Sequence, residues 1–453
     1  MKVRLYRLSL PVIGELLLQN VLAAVDALFV ARLGLLAINA VGVTAMFSVV
    51  LLSVLNALGV TMTVFLSRTA SEKTPSAARS LVWHGLVLGG GVGVTVSLLC
   101  LLLAAPLLHL AGAGEELTAA ARPYFCLVFG STPFLALHTM LAACFRARGD
   151  TRTPLKIGLQ MNLLHAGLDA LLIFGLKLGL AGAGLAYLGV QVLVLLQYWW
   201  RARGFLPTRS DLRLSRGMLA KWLRFAVPAV TERLFKRGGQ VVYLSFVVRM
   251  GTEPYAANNI ANTLAGFISL LGDGLATGVT VAMGKSIGEA KQSRETDESS
   301  ESGASSAAES MDLSVLQSRL DAIRRQGFLG AAVSMTAATL LFWALSPWIG
   351  RWFTDDPRVL HDLTLVLFLY IFCQPFFAAN LIDCAAIQAG GNSTYTMWVT
   401  ILGVWGVRLI FIPVLLYGFH LELSGVWLCI GLDHMVRAYL YRRYRLKRNW
   451  IHS

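Results

Sequence analysis

Twelve apolar runs, each long enough to cross a bilayer, constrain this chain more than any other feature. They fall at roughly 9–31, 36–66, 81–107, 123–145, 157–176, 179–200, 225–248, 256–283, 328–350, 363–388, 395–418 and 424–441. A helix rises about 1.5 Å per residue, so about 20 apolar residues cover a hydrocarbon core about 30 Å thick. Inside lipid every backbone group must be satisfied within the structure, and runs of this length satisfy theirs as helices. The composition agrees, because 56% of residues are hydrophobic and only 14% are charged, against about a quarter charged in soluble domains. Mean hydropathy is +0.63. The chain is expected to be an all-α polytopic membrane protein of about twelve transmembrane helices.

The net charge of +14 could suggest a nucleic-acid partner, but its distribution points to topology. When the connections are numbered alternately, the N-terminus and every second loop hold 29 of the 39 Lys and Arg residues. The intervening loops hold 6, and the remaining four, Arg233, Lys236, Arg237 and Arg408, lie within the runs. Cytoplasmic loops carry this excess, so both termini are expected in the cytoplasm. Lys2, Arg4 and Arg7 lead straight into the first run, which reads as a signal anchor. The six cysteines all fall in apolar segments without CxxC spacing, so neither a disulfide framework nor a metal framework is expected.

The second half repeats the first. LPVIGELLLQNVLAAVDALFVARLG, from Leu10, aligns without gaps on VPAVTERLFKRGGQVVYLSFVVRMG, from Val227, pairing Pro11 with Pro228, Glu15 with Glu232 and Gly34 with Gly251. Later, Pro133 pairs with Pro375 and Gly149 with Gly391, and the offset has grown from 217 to 242 residues. The difference is an insertion, the Ser/Glu-rich stretch from Ser293, which has no apolar period and is expected to be a disordered cytoplasmic loop over 292–318. The predicted organisation is an N-terminal lobe (1–203), a cytoplasmic linker (204–224) and a C-terminal lobe (225–453). Six helices precede the second copy, so the repeats are parallel and are expected to face each other across a central cavity.

These matched segments also carry a family resemblance. P-x14-D-x2-F-V-x-R-L-G (Pro11 to Gly34), FRARGDTRTP (Phe145 to Pro154), N-L-L-H-x3-D (Asn162 to Asp169), VPAVTERLFKRGGQ, GTEPYAANNIAN, VWGVRLIFIP and LSGVWLCIGLDH resemble the multidrug and toxic compound extrusion family, in particular its DinF-like bacterial branch. The resemblance spans nearly the whole chain except the Ser/Glu insertion. It implies a MATE-like fold of two six-helix repeats in the bacterial inner membrane. It further implies export of organic cations or amphiphiles in exchange for protons or sodium by alternating access. The protein is expected to be a monomer, and no cofactor is expected.

A carboxylate near mid-bilayer costs about 2.5–3.5 kcal/mol on insertion scales, so each one needs a reason. Asp26 lies eight residues before Gly34, and Asp169 eight before Lys177, which puts both about 12 Å below the outer surface. Asn162, His165 and Asp169 form one polar stripe on the fifth helix through spacings of 3 and 4. Two carboxylates out of water repel one another, and one of them readily takes up a proton. In the resembled family the positions of Asp26 and Asp169 form the coupling-ion site. A structural hydrogen-bond network between the two helices is the alternative reading. By the repeat, Asp26 pairs with Tyr243 and Asp169 with Phe411, so the second half has no such pair.

The family's sodium-type site adds an asparagine and a threonine, where this chain has His165 and Tyr187. Imidazole suits a hard cation poorly and handles protons well, so the coupling ion is expected to be the proton rather than sodium. Further candidates for ion or substrate are Glu15, Gln19 and Asn20 on the first helix, Glu232 and Lys236 on the seventh, and Asp273 on the eighth. Arg408 on the eleventh helix is expected to be the counter-ion of Asp273.

Other classes fit less well. The basic loop signature of major-facilitator carriers is missing from SRTASEKTPSAARS. A flippase of lipid-linked saccharides, using Arg233, Lys236, Arg237 and Arg408 to receive a pyrophosphate, is the main rival. Enzymatic readings have little to stand on. The one Asp-Asp pair, Asp355-Asp356, precedes Pro357 like a turn, and there is no P-loop lysine motif.

Overall fold

A computed structural model describes residues 5–69, 75–208, 211–299 and 306–446. The described residues contain no β-strand, and the twelve expected spans are all present as helices. The first half comprises α1 (Leu5–Ala31), α2 (Leu35–Thr69), α3 (Pro75–Leu102), α4 (Glu115–Ala147), α5 (Arg152–Gly175) and α6 (Gly179–Ala202). The second comprises α7 (Arg216–Val248), α8 (Thr252–Ser299), α9 (Ser306–Arg351), α10 (Pro357–Ala389), α11 (Ser393–Gly418) and α12 (Glu422–Arg445). Ten of these are long and apolar enough to cross a membrane by length and composition alone. The other two, α7 and α12, fail that test because charges such as Glu232, Arg233, Lys236, Asp433 and Arg437 interrupt their apolar runs.

The chain divides into two compact units, one from Gly14 to Arg224 and the other from Phe225 onward together with the first residues up to Ile13. The start of α1 therefore belongs with the second half, where Ser9 packs on Gly278 and Ile13 on Gly274. The expected linker is not a free tether. Arg79 holds Asp211 at 2.9 Å, the backbone amide of Ser215 donates to His84 Nε2 at 2.9 Å, and Trp222 is fully buried against Gly85.

Within the Gly14–Arg224 unit, α3 approaches α4 through glycine. A β-carbon on Gly89 would lie 2.6 Å from Met140 Cγ, and one on Gly93 would lie 2.8 Å from the Ala136 β-carbon and 3.0 Å from Pro133 Cα. Small residues permit this contact in the way they do between membrane helices generally. The second unit buries a large apolar cluster that includes Trp427, whose ring meets Tyr370 edge-on at 5.0 Å.

Backbone geometry repeats along with the sequence. Gly34 and Gly251 both turn the chain at positive φ (100° and 117°), and so do Gly149 and Gly391 (87° and 97°). The turn after α5 places Lys177 and Gly179 at positive φ, and the turn after α11 does the same with His420 and Glu422. Each of those helices also ends in a π-helical stretch, Ala170–Gly175 in one and Val414–Gly418 in the other.

The Ser/Glu-rich insertion departs from the expectation of a disordered loop. α8 runs on to Ser299 and α9 starts at Ser306, leaving only residues 300–305 outside the described structure. At 48 residues α8 is about 72 Å long, far more than a bilayer needs. Two features explain the extension. Its Ala, Glu, Lys and Arg residues favour helix. Apolar side chains also persist beyond the span, with Ile287, Leu320 and Ile323 buried and Arg319 paired with Glu289 at 2.8 Å.

Candidate functional site

The acidic residues of α1 and α5 meet. His165 stands between them, with Nδ1 3.4 Å from Asp26 Oδ2 and Nε2 3.7 Å from Asp169 Oδ2. One donor atom from each of the three residues lies within 4.8 Å of the others. His165 and Asp169 are 5% and 2% exposed, and Asp26 is half-buried. Three polar atoms of the cluster, Asp26 Oδ1, His165 Nε2 and Asp169 Oδ1, are buried without a hydrogen-bond partner. A neutral imidazole has one N–H and one lone pair. With the N–H directed at either carboxylate, the remaining lone pair faces the other carboxylate. A proton or another cation in that gap would satisfy polar atoms of a kind rarely left unsatisfied when buried.

The surroundings hold this arrangement in place. The amide nitrogen of Asn162 donates to the Leu18 carbonyl at 2.9 Å, tying α5 to α1 one turn below the cluster. Tyr187 of α6 meets the His165 ring edge-on at 5.8 Å. Immediately after Asp169 the helix widens into the π-helical stretch Ala170–Gly175, a feature common where helices carry function. Asn20 and Gln19 lie on an exposed face of α1, and the Asn20 amide is used on the Leu16 carbonyl at 2.9 Å.

The two repeated glutamates occupy equivalent positions with different solutions. Glu15 accepts two hydrogen bonds from Arg146 Nη1, at 3.0 and 3.1 Å. At the repeat offset of 242, Arg146 corresponds to Gln388, and Gln388 Nε2 donates to Glu232 at 3.2 Å. Thr396 and Thr400 supply two further donors, at 2.9 and 3.2 Å. Their counterparts are Pro154 and Gly158, and a β-carbon on Gly158 would lie 3.8 Å from Glu15 Cγ. One half neutralises its buried glutamate with a guanidinium, whereas the other surrounds it with neutral donors.

Arg408 does not pair with Asp273. It is buried, and its Nη2 donates to Asp433 Oδ2 at 2.6 Å. Arg437 Nη2 donates to the same oxygen at 2.7 Å and its Nε lies 2.6 Å from Asp433 Oδ1. Asp433 lies one helical turn from Arg437 on α12 and faces Arg408 across to α11, so this acid captures the guanidinium first. Asp273 is exposed on α8, flanked by Gly272 and Gly274, which are both packed against neighbouring side chains. Lys236 is half-buried on α7.

Sequence reasoning missed Asp433, His434 and Arg437, having counted Arg437 among the cytoplasmic charges. The signal was present as an acid four residues before an arginine inside an apolar run. It also missed the pairing of Arg146, and the part-buried pair formed by His138 Nε2 and Gln191 Oε1 at 2.7 Å. In the second half Asn380, the counterpart of His138 at the offset of 242, pairs instead with His434, one residue beyond the counterpart of Gln191, with Nδ2 and Nδ1 3.0 Å apart.

Residues 11–171 and 317–414 match the MatE family model. The chain belongs to the MatE family. As a MatE protein it is a multi-pass membrane transporter rather than an enzyme. The probable multidrug resistance protein NorM of Thermotoga maritima is 23% identical over 462 residues, covering 98% of this chain and 92% of that one. The DNA damage-inducible protein F of Escherichia coli is 26% identical over 303 residues, 63% of each chain. Among solved structures, a MOP superfamily transporter from Pyrococcus furiosus, described as having a binding pocket of reverse polarity, superposes with a TM-score of 0.85. It is 21% identical and the match covers 98% of this chain and 94% of that one, so the fold is shared. The matched regions of this MatE protein contain Asp26, Asn162, His165, Asp169 and Arg408, whereas Tyr187, Glu232, Lys236 and Asp273 lie outside them.

Proposed function

We propose that this MatE transporter exports small organic cations or amphiphiles, driving each export step with protons taken up at Asp26, His165 and Asp169. The observation that carries the reading is the cluster itself: two carboxylates and an imidazole with three buried, unpartnered atoms inside apolar helices. An intramembrane cluster of this kind is expensive to bury and is the usual mark of an ion pathway. The imidazole favours the proton over sodium, which prefers several small oxygen ligands. The multidrug names of several relatives support a drug-like substrate. The positive-inside bias supports cytoplasmic termini. The rival flippase reading required four cations to receive a pyrophosphate, and Arg408 is already committed to Asp433.

The test is efflux of a fluorescent cation from proteoliposomes under an imposed pH or sodium gradient, comparing the wild type with Asp26→Asn and Asp169→Asn. A pH gradient should drive the wild type, a sodium gradient should not, and both variants should lose most of the driven flux. Wild-type flux in both variants would overturn the assignment.

A further inference from the structure

We propose that the Asp26–His165–Asp169 cluster is also a site for a divalent transition-metal ion, of which Zn2+ is the type. Four observations lead there. First, the residue types offer an imidazole and a carboxylate as ligands with a second carboxylate behind the ring, and the imidazole suits zinc, copper, iron or nickel rather than sodium or magnesium.

Second, the spacing fits. Donors held about 2.0–2.1 Å from a tetrahedral zinc lie about 3.3–3.4 Å from one another. His165 Nε2 stands 3.7 Å from Asp169 Oδ2, and one donor atom from each of the three residues lies within 4.8 Å of the others, so modest side-chain movements separate the observed cluster from a coordinating one.

Third, the free valences point inward. His165 is 5% exposed and its Nε2 has no hydrogen-bond partner, and Asp169 is 2% exposed with Oδ1 in the same condition. Fourth, the ring is oriented as metal-binding histidines are. In these a carboxylate takes the N–H on one side, which fixes the tautomer and aims the other nitrogen's lone pair at the ion. Asp26 stands at Nδ1 and Asp169 stands beyond Nε2, so a metal on Nε2 would take Asp169 as a second ligand. Asp26 then acts from behind the ring, its Oδ2 taking the Nδ1 proton and its charge adding to that of Asp169. Two ionised carboxylates would cancel the charge of a divalent ion, which a single monovalent cation cannot do.

The consequence is competition. A metal in this position occupies the donors that the proposed coupling step uses, so micromolar zinc should arrest transport. Metal binding can be read without transport, so binding and coupling fail or stand separately.

The experiment uses the full chain in lipid nanodiscs. Co2+ is titrated with visible absorption as the readout, and Zn2+ by calorimetry, with Na+ and Mg2+ as controls. One Zn2+ per chain is expected, with the intense ligand-field bands of four-coordinate Co2+ that Zn2+ then displaces. His165→Asn should weaken Zn2+ binding at least about 100-fold, beyond the 10–100-fold typical of losing an outer-shell partner. Asp169→Asn should weaken it comparably, and His109→Asn and His361→Asn should leave it unchanged. Thermal melting of each variant without metal identifies any that fail to fold, and the conclusion then rests on the other. Zinc bound equally well by wild type, His165→Asn and Asp169→Asn would overturn the proposal, as would weak octahedral cobalt spectra throughout. If the two aspartate variants transport normally while Zn2+ still binds the wild type tightly, the coupling reading fails and the metal site stands.

Discussion

Replacing Arg146 by glutamine would give the first half the partner that the second half uses. In the wild type, Glu15 is held by both oxygens to Arg146 at 3.0 and 3.1 Å, with side-chain exposures of 10% and 18%. Removing one member of a buried pair costs about 3–5 kcal/mol, because the remaining charge is left without compensation. The residual exposure of Arg146 puts the expected loss near the lower end, about 3 kcal/mol.

Glutamine suffices for Glu232 because Thr396 and Thr400 complete its shell. The first half has Pro154 and Gly158 at those positions. A β-carbon on Gly158 meets only Glu15 Cγ, at 3.8 Å, which is ordinary van der Waals contact, so a threonine fits there. Its hydroxyl would restore one hydrogen bond to a charged acceptor, worth about 1.5 kcal/mol. The double variant Arg146→Gln, Gly158→Thr should therefore recover about half of what Arg146→Gln loses. Denaturant unfolding in mixed micelles, followed by tryptophan fluorescence, measures both differences. If Arg146→Gln unfolds within about 0.5 kcal/mol of the wild type, Glu15 does not depend on the guanidinium, and the comparison between the halves is wrong. A double variant no more stable than Arg146→Gln would refute the role given to the threonine hydroxyls.

Gly34 sits at φ 100° with nothing within 4 Å of where a β-carbon would stand, so Gly34→Ala should cost about 1–2 kcal/mol through the backbone alone. Gly91 in α3 also has nothing within 4 Å but is helical, so Gly91→Ala should be neutral or stabilising by up to about 1 kcal/mol. The same unfolding assay separates the two, and equal effects would remove the conformational argument. Outside the membrane, hydrogen bonds from the Thr208 hydroxyl and amide, with Arg79 beside them, hold the Asp211 carboxyl below its ordinary value. Its stabilising contribution is complete above the unfolded value of about 4 and fades as the pH falls through the lower folded value. Asp211→Asn should therefore be less stable than wild type from pH 5 to 8, and the gap should close toward pH 3. A gap independent of pH would show that the ionised form is not what stabilises the loop.

Much of the fold was legible because lipid imposes few options. The twelve spans, the offset of 217 and the pairing of Gly34 with Gly251 all follow from linear pattern. Helical rise put Asp26 and Asp169 at one depth, since about 1.5 Å per residue fixes height along a helix, and the family resemblance joined them in one site. Rotation and lateral neighbours were not legible. Arg408 was expected to pair with Asp273, yet it donates to Asp433 on the adjoining helix. Arg146 and Arg437 were counted with the cytoplasmic charges because they lie near helix ends, yet both turn inward to buried acids. The Ser/Glu stretch lacked an apolar period, so its helical continuation depended on packing beyond the membrane that no local pattern records.

Sequence alone determined the number of spans, the duplication and the common depth of Asp26 and Asp169, because hydropathy and helical rise are properties of the chain taken one segment at a time. Only the tertiary structure decided which charges meet. His165 lies between Asp26 and Asp169, and Glu15 and Glu232 are compensated in different ways, because side-chain pairing depends on how neighbouring helices are rotated and packed. That rotation is set jointly by contacts from several segments, and no single segment encodes it.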